Sequence, residues 1–158
     1  MEALKIYHNS IRRSIKMINE NFKVTGEVTI QKNGKVIREI PNTIVTAGKN
    51  NIAALITDAG NKMTHMAVGT GTTSVAANNT ALVTETDRNA LSVSGGAPSN
   101  NTIVHTAVWA AGDGTGALTE AGLFSASSGG TMMARTVFSA VNKGAGDILT
   151  ITWTVTIS

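Results

Sequence analysis

The sequence predicts a mainly β fold: a single-domain antiparallel β-sandwich, jelly-roll-like, with an N-terminal amphipathic helix and one short internal helix. Three observations indicate this class. The length of 158 residues suits one domain. Residues typical of strands and turns dominate, with 22 threonines and 16 glycines against an aromatic share of 4%. Short segments of alternating polarity follow one another without long helices between them, as in sandwiches and barrels.

An amphipathic helix is predicted over residues 1–22, which we interpret as an N-terminal arm. Its apolar side chains recur at spacings of three and four: Leu4, Tyr7, Ile11, Ile15, Ile18 and Phe22. Basic residues, Arg12 and Arg13 among them, fall on the other side. The apolar stripe packs either on the chain's own sheet or on a neighbouring subunit. A helix on a membrane surface is disfavoured, because the segment lacks Trp and its basic face is short.

The clearest local pattern is a β-hairpin within residues 28–40. Two runs of alternating polarity, Val28–Lys32 and Lys35–Ile40, flank the dipeptide Asn33-Gly34. This dipeptide adopts the positive φ angles of a tight turn at little cost, so it favours a two-residue hairpin connection.

The sandwich domain is predicted to span residues 23–158 and to include this hairpin. After an extended run at 43–46, Gly48 precedes a short helix predicted over Asn51–Thr57. Residues 80–88 fit a loop, a turn or a strand. Further strands are predicted at 63–68, 90–93, 102–110, 118–125, 132–140 and 149–157. In the last strand Trp153 and four aliphatic residues face one way and four threonines the other, which indicates one buried face.

Charge is unevenly distributed along the chain. Residues 1–50 carry a net charge of +5 and residues 51–158 a net charge of −2. From Asn89 onward five residues are charged: Asp113, Glu120, Arg135, Lys143 and Asp147. A solitary soluble protein usually covers itself with Lys and Glu, whereas hydroxyl and amide groups can be covered by another subunit without burying ions. We therefore expect the second half of the chain to work inside an assembly; the alternative is a solitary domain with an uncharged polar surface.

No catalytic, cofactor-binding or metal-binding pattern is predicted, and we expect the protein not to be an enzyme. The chain has no cysteine, and its three histidines lack the spacing of a zinc site. Gly69-Thr-Gly71 lacks the third glycine of a dinucleotide fingerprint, and the sequence contains neither a phosphate-binding Gly-Lys-Ser/Thr loop nor a Gly-x-Ser-x-Gly elbow. Glu85, Asp87 and Arg88 are expected to form a structural salt-bridge corner.

Nucleic acid and membranes are disfavoured as partners. The basic residues of the first fifty positions are interrupted by acids and have no stacking aromatics between them. No run approaches the roughly 20 apolar residues that a membrane-spanning helix needs. The basic N-terminus also lacks the apolar segment of a secretory signal.

Three short motifs occur in the order found in a known group of proteins. They are Gly69-x-Gly71, Leu82-x-x-Glu85-x-x-Arg88 and Glu120-x-Gly122-Leu-Phe124. Over residues 42–158 the chain resembles small β-rich virion proteins of tailed bacteriophages. It is more distantly similar to the N-terminal attachment domain of phage tail-collar fibres. The resemblance implies a non-enzymatic structural protein located in the virion.

Within that resemblance we expect a capsid cement or decoration protein. It would self-associate, as a homotrimer, and bind the major capsid protein or other virion subunits, which stabilises the shell by mass action. A tail, neck or baseplate component of the fibre-attachment type is the alternative, although a fibre is expected to continue past Ser158 into a stalk. A receptor- or carbohydrate-binding module is a further alternative, for which Trp109 would be the exposed aromatic.

The sequence assigns expected roles to two sets of residues. The candidate interface residues are Leu4, Tyr7, Ile11, Arg12, Arg13, Ile15, Ile18, Asn33 and Gly34. The candidate structural residues are Arg88, Glu120, Gly122, Phe124 and Trp153. Glu120 lies among apolar neighbours and is expected to pair with Arg88 or Arg135. Gly122 is expected to let the backbone bend between strand and core.

Overall fold

The computed structural model describes residues 22–158, in which ten strands form two antiparallel five-stranded sheets. In chain order the elements are β1 (Val24–Lys32), β2 (Lys35–Pro41), β3 (Thr43–Ile44), α1 (Thr46–Leu55), β4 (His65–Gly69), β5 (Glu85–Ala90), β6 (Ala97–Ser99), β7 (Thr102–Trp109), β8 (Gly116–Phe124), β9 (Met132–Lys143) and β10 (Leu149–Ile157). The first sheet has the order β2-β1-β10-β7-β6 and the second β3-β9-β8-β4-β5. The predicted β-sandwich is confirmed for these residues, while the predicted helical arm lies, apart from Phe22, outside them.

The facing sides of the two sheets share one apolar core. Val28 and Trp153 of the first sheet and Met66 and Leu123 of the second belong to it and are fully buried. Along β10 buried apolar side chains alternate with half-buried threonines, as the sequence predicts. Because successive side chains of a strand point to opposite faces, these threonines lie on the outer face of the first sheet.

The second sheet also carries a smaller apolar cluster on its outer face. Val45 at the start of α1 and Leu82 from the loop after β4 pack there against Ala67, Phe124 and Met132. The helix and this loop thus cover the second sheet from outside. In residues 22–158 no helix is long and apolar enough to cross a bilayer.

The helix begins five residues earlier than predicted. It starts at Thr46 and contains Gly48, which was expected to precede it. A Cβ on Gly48 would collide with the Met133 backbone carbonyl of β9. The glycine therefore serves close packing of the helix on the sheet, and not helix initiation.

The strand predicted at residues 90–93 is wrong, because β5 occupies Glu85–Ala90 instead. Its sequence, Glu-Thr-Asp-Arg-Asn-Ala, has no apolar alternation, and pairing with β4 decides its conformation. Leu91 is buried just after it, and Val93 is exposed.

The hairpin of β1 and β2 is confirmed. Asn33 and Gly34 have φ angles of 51° and 78°, as a type I′ turn requires. The pairing register shifts between Ile30 and Gln31, where a bulge interrupts the ladder.

Candidate functional site

The buried ion pair between Glu120 of β8 and Arg135 of β9 is the centre of the candidate site. The Arg135 nitrogens Nη2 and Nε lie 2.8 and 3.0 Å from the Glu120 Oε2 atom. Both side chains have no solvent exposure. Of the two partners that the sequence left open for Glu120, the structure pairs it with Arg135.

Residues 70–84, which we call the tethered loop, donate three backbone hydrogen bonds to the Glu120 carboxylate. The amide nitrogens of Gly71 and Thr84 lie 3.0 and 2.7 Å from Oε1. The Val83 amide nitrogen lies 3.1 Å from Oε2. With the arginine these donors occupy both carboxylate oxygens, so the buried negative charge is compensated.

The Arg135 guanidinium holds the middle of the same loop. Its Nη2 donates to the Thr73 carbonyl oxygen and its Nη1 to Asn79 Oδ1, both at 3.0 Å. Asn79 Oδ1 also accepts from the Ala76 amide at 2.9 Å, which closes a turn inside the loop. One ion pair therefore fixes a long surface loop at several points.

The hydrogen bonds decide the ionisation of Glu120. Burial by itself raises the pKa of this carboxyl, but the amides of Thr84 and Val83 and the Arg135 guanidinium outweigh it and lower the pKa below its ordinary 4.5. The carboxylate is thus ionised at neutral pH. Its contribution to stability is present above pH 4.5 and is lost as the pH falls through the depressed pKa.

The glycines of the Gly-x-Gly motif give the carboxylate its space. A Cβ on Gly69 would collide with the Thr84 carbonyl oxygen and lie 2.8 Å from Glu120 Oε1, and one on Gly71 would collide with Glu120 Oε1. Any larger residue at either position would displace the tethered loop or the carboxylate. The motif therefore has a packing role around Glu120.

Gly122 plays a different role from the expected bend. It lies inside β8, paired with Ala67 on one side and Arg135 on the other. A Cβ there would be 2.8 Å from the Phe124 ring and 2.9 Å from Leu82. The glycine makes room for the outer apolar cluster while the strand continues through it.

Arg88 of β5 lies on the same outer face of the second sheet, beside the outer apolar cluster. Its guanidinium makes a bidentate pair with Glu85 at 2.7 and 2.8 Å and stacks on the Phe124 ring, 3.7 Å from the centroid. It also donates to the Ala126 and Gly129 carbonyl oxygens, both at 2.9 Å. The expected salt-bridge corner is therefore formed by Glu85 and Arg88.

The third member expected at that corner, Asp87, makes a backbone contact instead. Its Oδ1 accepts from the Arg88 amide at 2.9 Å. The three motifs, distant in sequence, thus meet on the outer face of the second sheet. Their charged groups hold loops, and the fully buried Glu120–Arg135 pair offers no exposed atom for acid–base chemistry.

Within residues 22–158 no group of three His, Cys, Asp or Glu side chains could hold a metal ion. His65 of β4 is partly exposed, whereas His105 of β7 is buried in the core.

The expected exposure of Trp109 is wrong. Its side chain is completely buried, because β7 turns it inward beside Leu149 of β10. Trp153 is buried as expected. The aromatic platform that a sugar-binding module needs is therefore not provided by Trp109.

Of the candidate interface residues, the structure describes those of the hairpin turn. The Asn33 side chain donates to Asp147 Oδ1 at 2.7 Å and accepts from the Ile148 amide at 2.9 Å. It thus ties the hairpin to the segment before β10, and an additional interface role for Asn33 and Gly34 stays a prediction. The other seven, from Leu4 to Ile18, lie outside the described residues.

Sequence patterns alone did not indicate a continuous surface on the first sheet, which we call the hydroxyl face. It consists of the outward threonines of β1, β7 and β10: Thr25, Thr29, Thr102, Thr106, Thr150, Thr152, Thr154 and Thr156. Thr152 lies between Thr29 and Thr106 across three strands, and its hydroxyl is 3.5 Å from that of Thr106. The alternation in β10 signalled one row, but the neighbouring rows depend on strand order, which the sequence did not predict.

No protein-family model matches the chain, and no match was found among curated proteins or solved structures.

Proposed function

We propose that the chain is a non-enzymatic structural protein of a tailed-bacteriophage virion. In this proposal it acts as a capsid cement or decoration protein, self-associates as a homotrimer, and binds the major capsid protein. The observation that carries the proposal is the hydroxyl face, a threonine-rich surface on which the outward residues of β1, β7 and β10 include one charged side chain, Glu27.

The composition of the hydroxyl face favours its burial against another subunit. The strands β7 and β10 contain no Asp, Glu, Lys or Arg, and the outward Val104 and Val108 lie among the threonines, whereas β1 adds Glu27 opposite Thr154. Val108 is 43% exposed. Threonine hydroxyls can be paired across an interface and valines gain from burial, so covering the part of this surface formed by β7 and β10 removes no ion from water.

The chemistry of the second sheet also supports a structural role. Glu120 and Arg135 direct their polar atoms to each other and to the tethered loop, and Arg88 directs its polar atoms to Glu85 and to the loop after β8. A rigidly held outer loop presents a fixed shape to a partner, which lowers the entropy lost on binding.

The mechanism is stabilisation by linkage. A protein that binds the assembled lattice, and not its free subunits, adds its binding free energy to the lattice. Three copies around one symmetry axis bind more tightly than one, because the second and third contacts become intramolecular.

A component of the tail, neck or baseplate is the second candidate. It is supported by the meeting around Glu120 and Phe124 of the three motifs that resemble those of the tail-collar attachment domain. The number of copies per particle separates the two: on the order of hundreds indicates the shell, and about a dozen or fewer indicates the tail.

The first experiment measures self-association by sedimentation. We expect the wild-type chain to sediment as a trimer and Thr152→Lys, which places a charge in the centre of the hydroxyl face, to weaken the trimer at least about tenfold. Thr72→Lys, on the exposed part of the tethered loop, is the matched control and should leave assembly unchanged. Near-ultraviolet circular dichroism checks that Trp109 and Trp153 remain packed in both variants.

The second experiment is quantitative mass spectrometry of purified particles that contain the chain, with binding of the purified chain to those particles. Saturable binding to the shell is expected. A chain that stays monomeric at high concentration and binds no particle component contradicts the proposal.

A further inference from the structure

An apolar groove lies beside the first described residue. Phe22 and Val24 form one wall, and Ile52, Ala53 and Ile56, from α1 and its C-terminal end, form the other. Its volume is about 510 Å³. Lysines at positions 23 and 49 line its rim.

The groove exposes large apolar side chains. Ile56 is 81% exposed and Phe22 67%, and Phe22 is the exposed aromatic of residues 22–158. Isolated exposed residues of this kind are common, but two of them lining one groove mark a surface that gains free energy when it is covered.

We propose that residues 4–18 of the same chain bind this groove as an amphipathic helix. The apolar stripe of that segment ends at Phe22, and the structure places Phe22 in the wall of the groove. Ile18 and Ile15 precede Phe22 by one and two helical turns, so a helix here directs its apolar stripe toward the same surface.

The dimensions agree with this arrangement. Residues 4–18 would form a helix of about 22 Å, and the ten residues of α1 span about 15 Å. A helix of that length can lie along α1 and cover Ile52 and Ile56 with several of its apolar side chains.

The short connection favours the same chain over a second copy. Ile18 is four residues from Phe22, which keeps it at the groove, whereas another molecule would lose translational and rotational freedom on binding. Charge does not drive the contact, because the rim residues Lys23 and Lys49 and the polar face with Arg12, Arg13 and Lys16 are all basic. The apolar stripe must supply the binding, with the basic side chains turned to solvent.

The chain's lack of cysteine allows a direct test by disulfide cross-linking. We combine Ile56→Cys with Ile15→Cys or Ile18→Cys on the stripe, and with Lys16→Cys on the polar face as the control. A disulfide needs Cα atoms within about 7 Å. We expect at least one stripe pair to oxidise within one chain about tenfold faster than the control pair.

Three results would overturn the proposal. Disulfides formed only between chains would assign the groove to a second copy. Equal rates for stripe and control pairs, or no cross-link in either stripe pair, would show that the segment does not lie in the groove. The hydroxyl face lies outside this groove, so failure of the docking proposal can be distinguished from failure of the proposed function.

Limited proteolysis of the full chain provides a second measurement. Trypsin cleaves after Arg12, Arg13 and Lys16, and a docked helix protects these bonds. Ile56→Asp should speed their cleavage about tenfold, the factor expected when the burial of one large aliphatic side chain is lost. Val93→Asp, at an exposed valine in another loop, is the control; equal cleavage in the two variants and the wild type would contradict docking.

Discussion

Glu120 and Arg135 face each other from adjacent strands with no exposed surface, and Nη2 of the arginine lies 2.8 Å from Oε2 of the glutamate. A buried ion pair by itself contributes little to stability, because desolvation offsets the attraction between the charges. Here the pair also receives three backbone amides of the tethered loop and donates to two of its oxygens. Its role is therefore to position the loop.

Removing one partner of this ion pair should strongly destabilise the fold. We expect Arg135→Met to lower the free energy of unfolding by about 3–5 kcal/mol, since it leaves the Glu120 carboxylate buried without its cation. Denaturant unfolding followed by tryptophan fluorescence measures this change.

The Glu85–Arg88 pair provides the control. The Glu85 side chain is 33% exposed, so water screens the pair. Glu85→Gln should therefore lower the free energy of unfolding by no more than about 1 kcal/mol. A similar loss in the two variants would mean that burial does not distinguish these ion pairs.

A methyl group at Gly71 should disturb the hydrogen bonds around the Glu120 carboxylate. It would collide with Glu120 Oε1 and lie 2.7 Å from the Val83 Cβ, so we expect Gly71→Ala to destabilise the fold by about 1–3 kcal/mol. Hydrogen exchange should show faster opening of the Thr84 amide, which donates to the same carboxylate oxygen.

Gly146→Ala is the matched control for that substitution. A Cβ at Gly146 meets no atom within 4 Å, and the residue is not among those with a positive φ. The change should be neutral or stabilise by up to about 1 kcal/mol through the unfolded chain. Equal destabilisation by both alanines would argue against the packing role of the Gly-x-Gly motif.

His105 should make stability sensitive to mild acid. Burial lowers the pKa of this histidine below its ordinary 6.5, against weaker opposing hydrogen bonds with the Trp153 and Gly95 backbones. The unfolded chain therefore binds the proton more tightly than the folded one, so stability is full above pH 6.5 and is lost as the pH falls below it. The slope is at most about 1.4 kcal/mol per pH unit.

Unfolding free energies measured across this range test the assignment. His105→Leu should remove the slope, whereas His65→Gln, at the partly exposed histidine, should retain it. If the slope survives in His105→Leu, another group is responsible.

The sequence predicted those parts of the fold that rest on local patterns. Alternation defined β10, and Asn33-Gly34 defined the first hairpin, because both depend on neighbours along the chain. β5 begins within residues 80–88, which the sequence left open between loop, turn and strand, since its polar residues become a strand only through pairing with β4. Trp109 was misjudged for the same reason: which face of a strand is buried depends on the sheet that covers it.

The sequence predicted several residues of the candidate site, but not which of them contact one another. The motif order singled out Glu120, Arg88 and Phe124, and the apolar surroundings of Glu120 called for a cationic partner. Nothing local distinguished Arg135 from Arg88, because that choice depends on the register of β8 against β9. Asn79 was missed for the same reason, since its contact with Arg135 spans 56 residues.

The turn residue Asn33 should stabilise the fold through both its backbone conformation and its side-chain hydrogen bonds. Asn33→Ala loses the side-chain bonds and also places an alanine at a φ of 51°, whereas Asn33→Gly loses the bonds alone. We expect the alanine variant to be less stable than the glycine variant by about 1–2 kcal/mol, measured by denaturant unfolding.

The pKa of Asp147 reports the side-chain part separately. The Asn33 amide, followed by the Gly144 backbone amide, holds that pKa below its ordinary 3.8. Both Asn33 variants should therefore raise the pKa of Asp147 by the same amount in an NMR titration, although their stabilities differ. Equal stabilities of the two variants would show that the backbone conformation of residue 33 does not affect stability. An unchanged pKa of Asp147 would show that the hydrogen bond from Asn33 does not lower it.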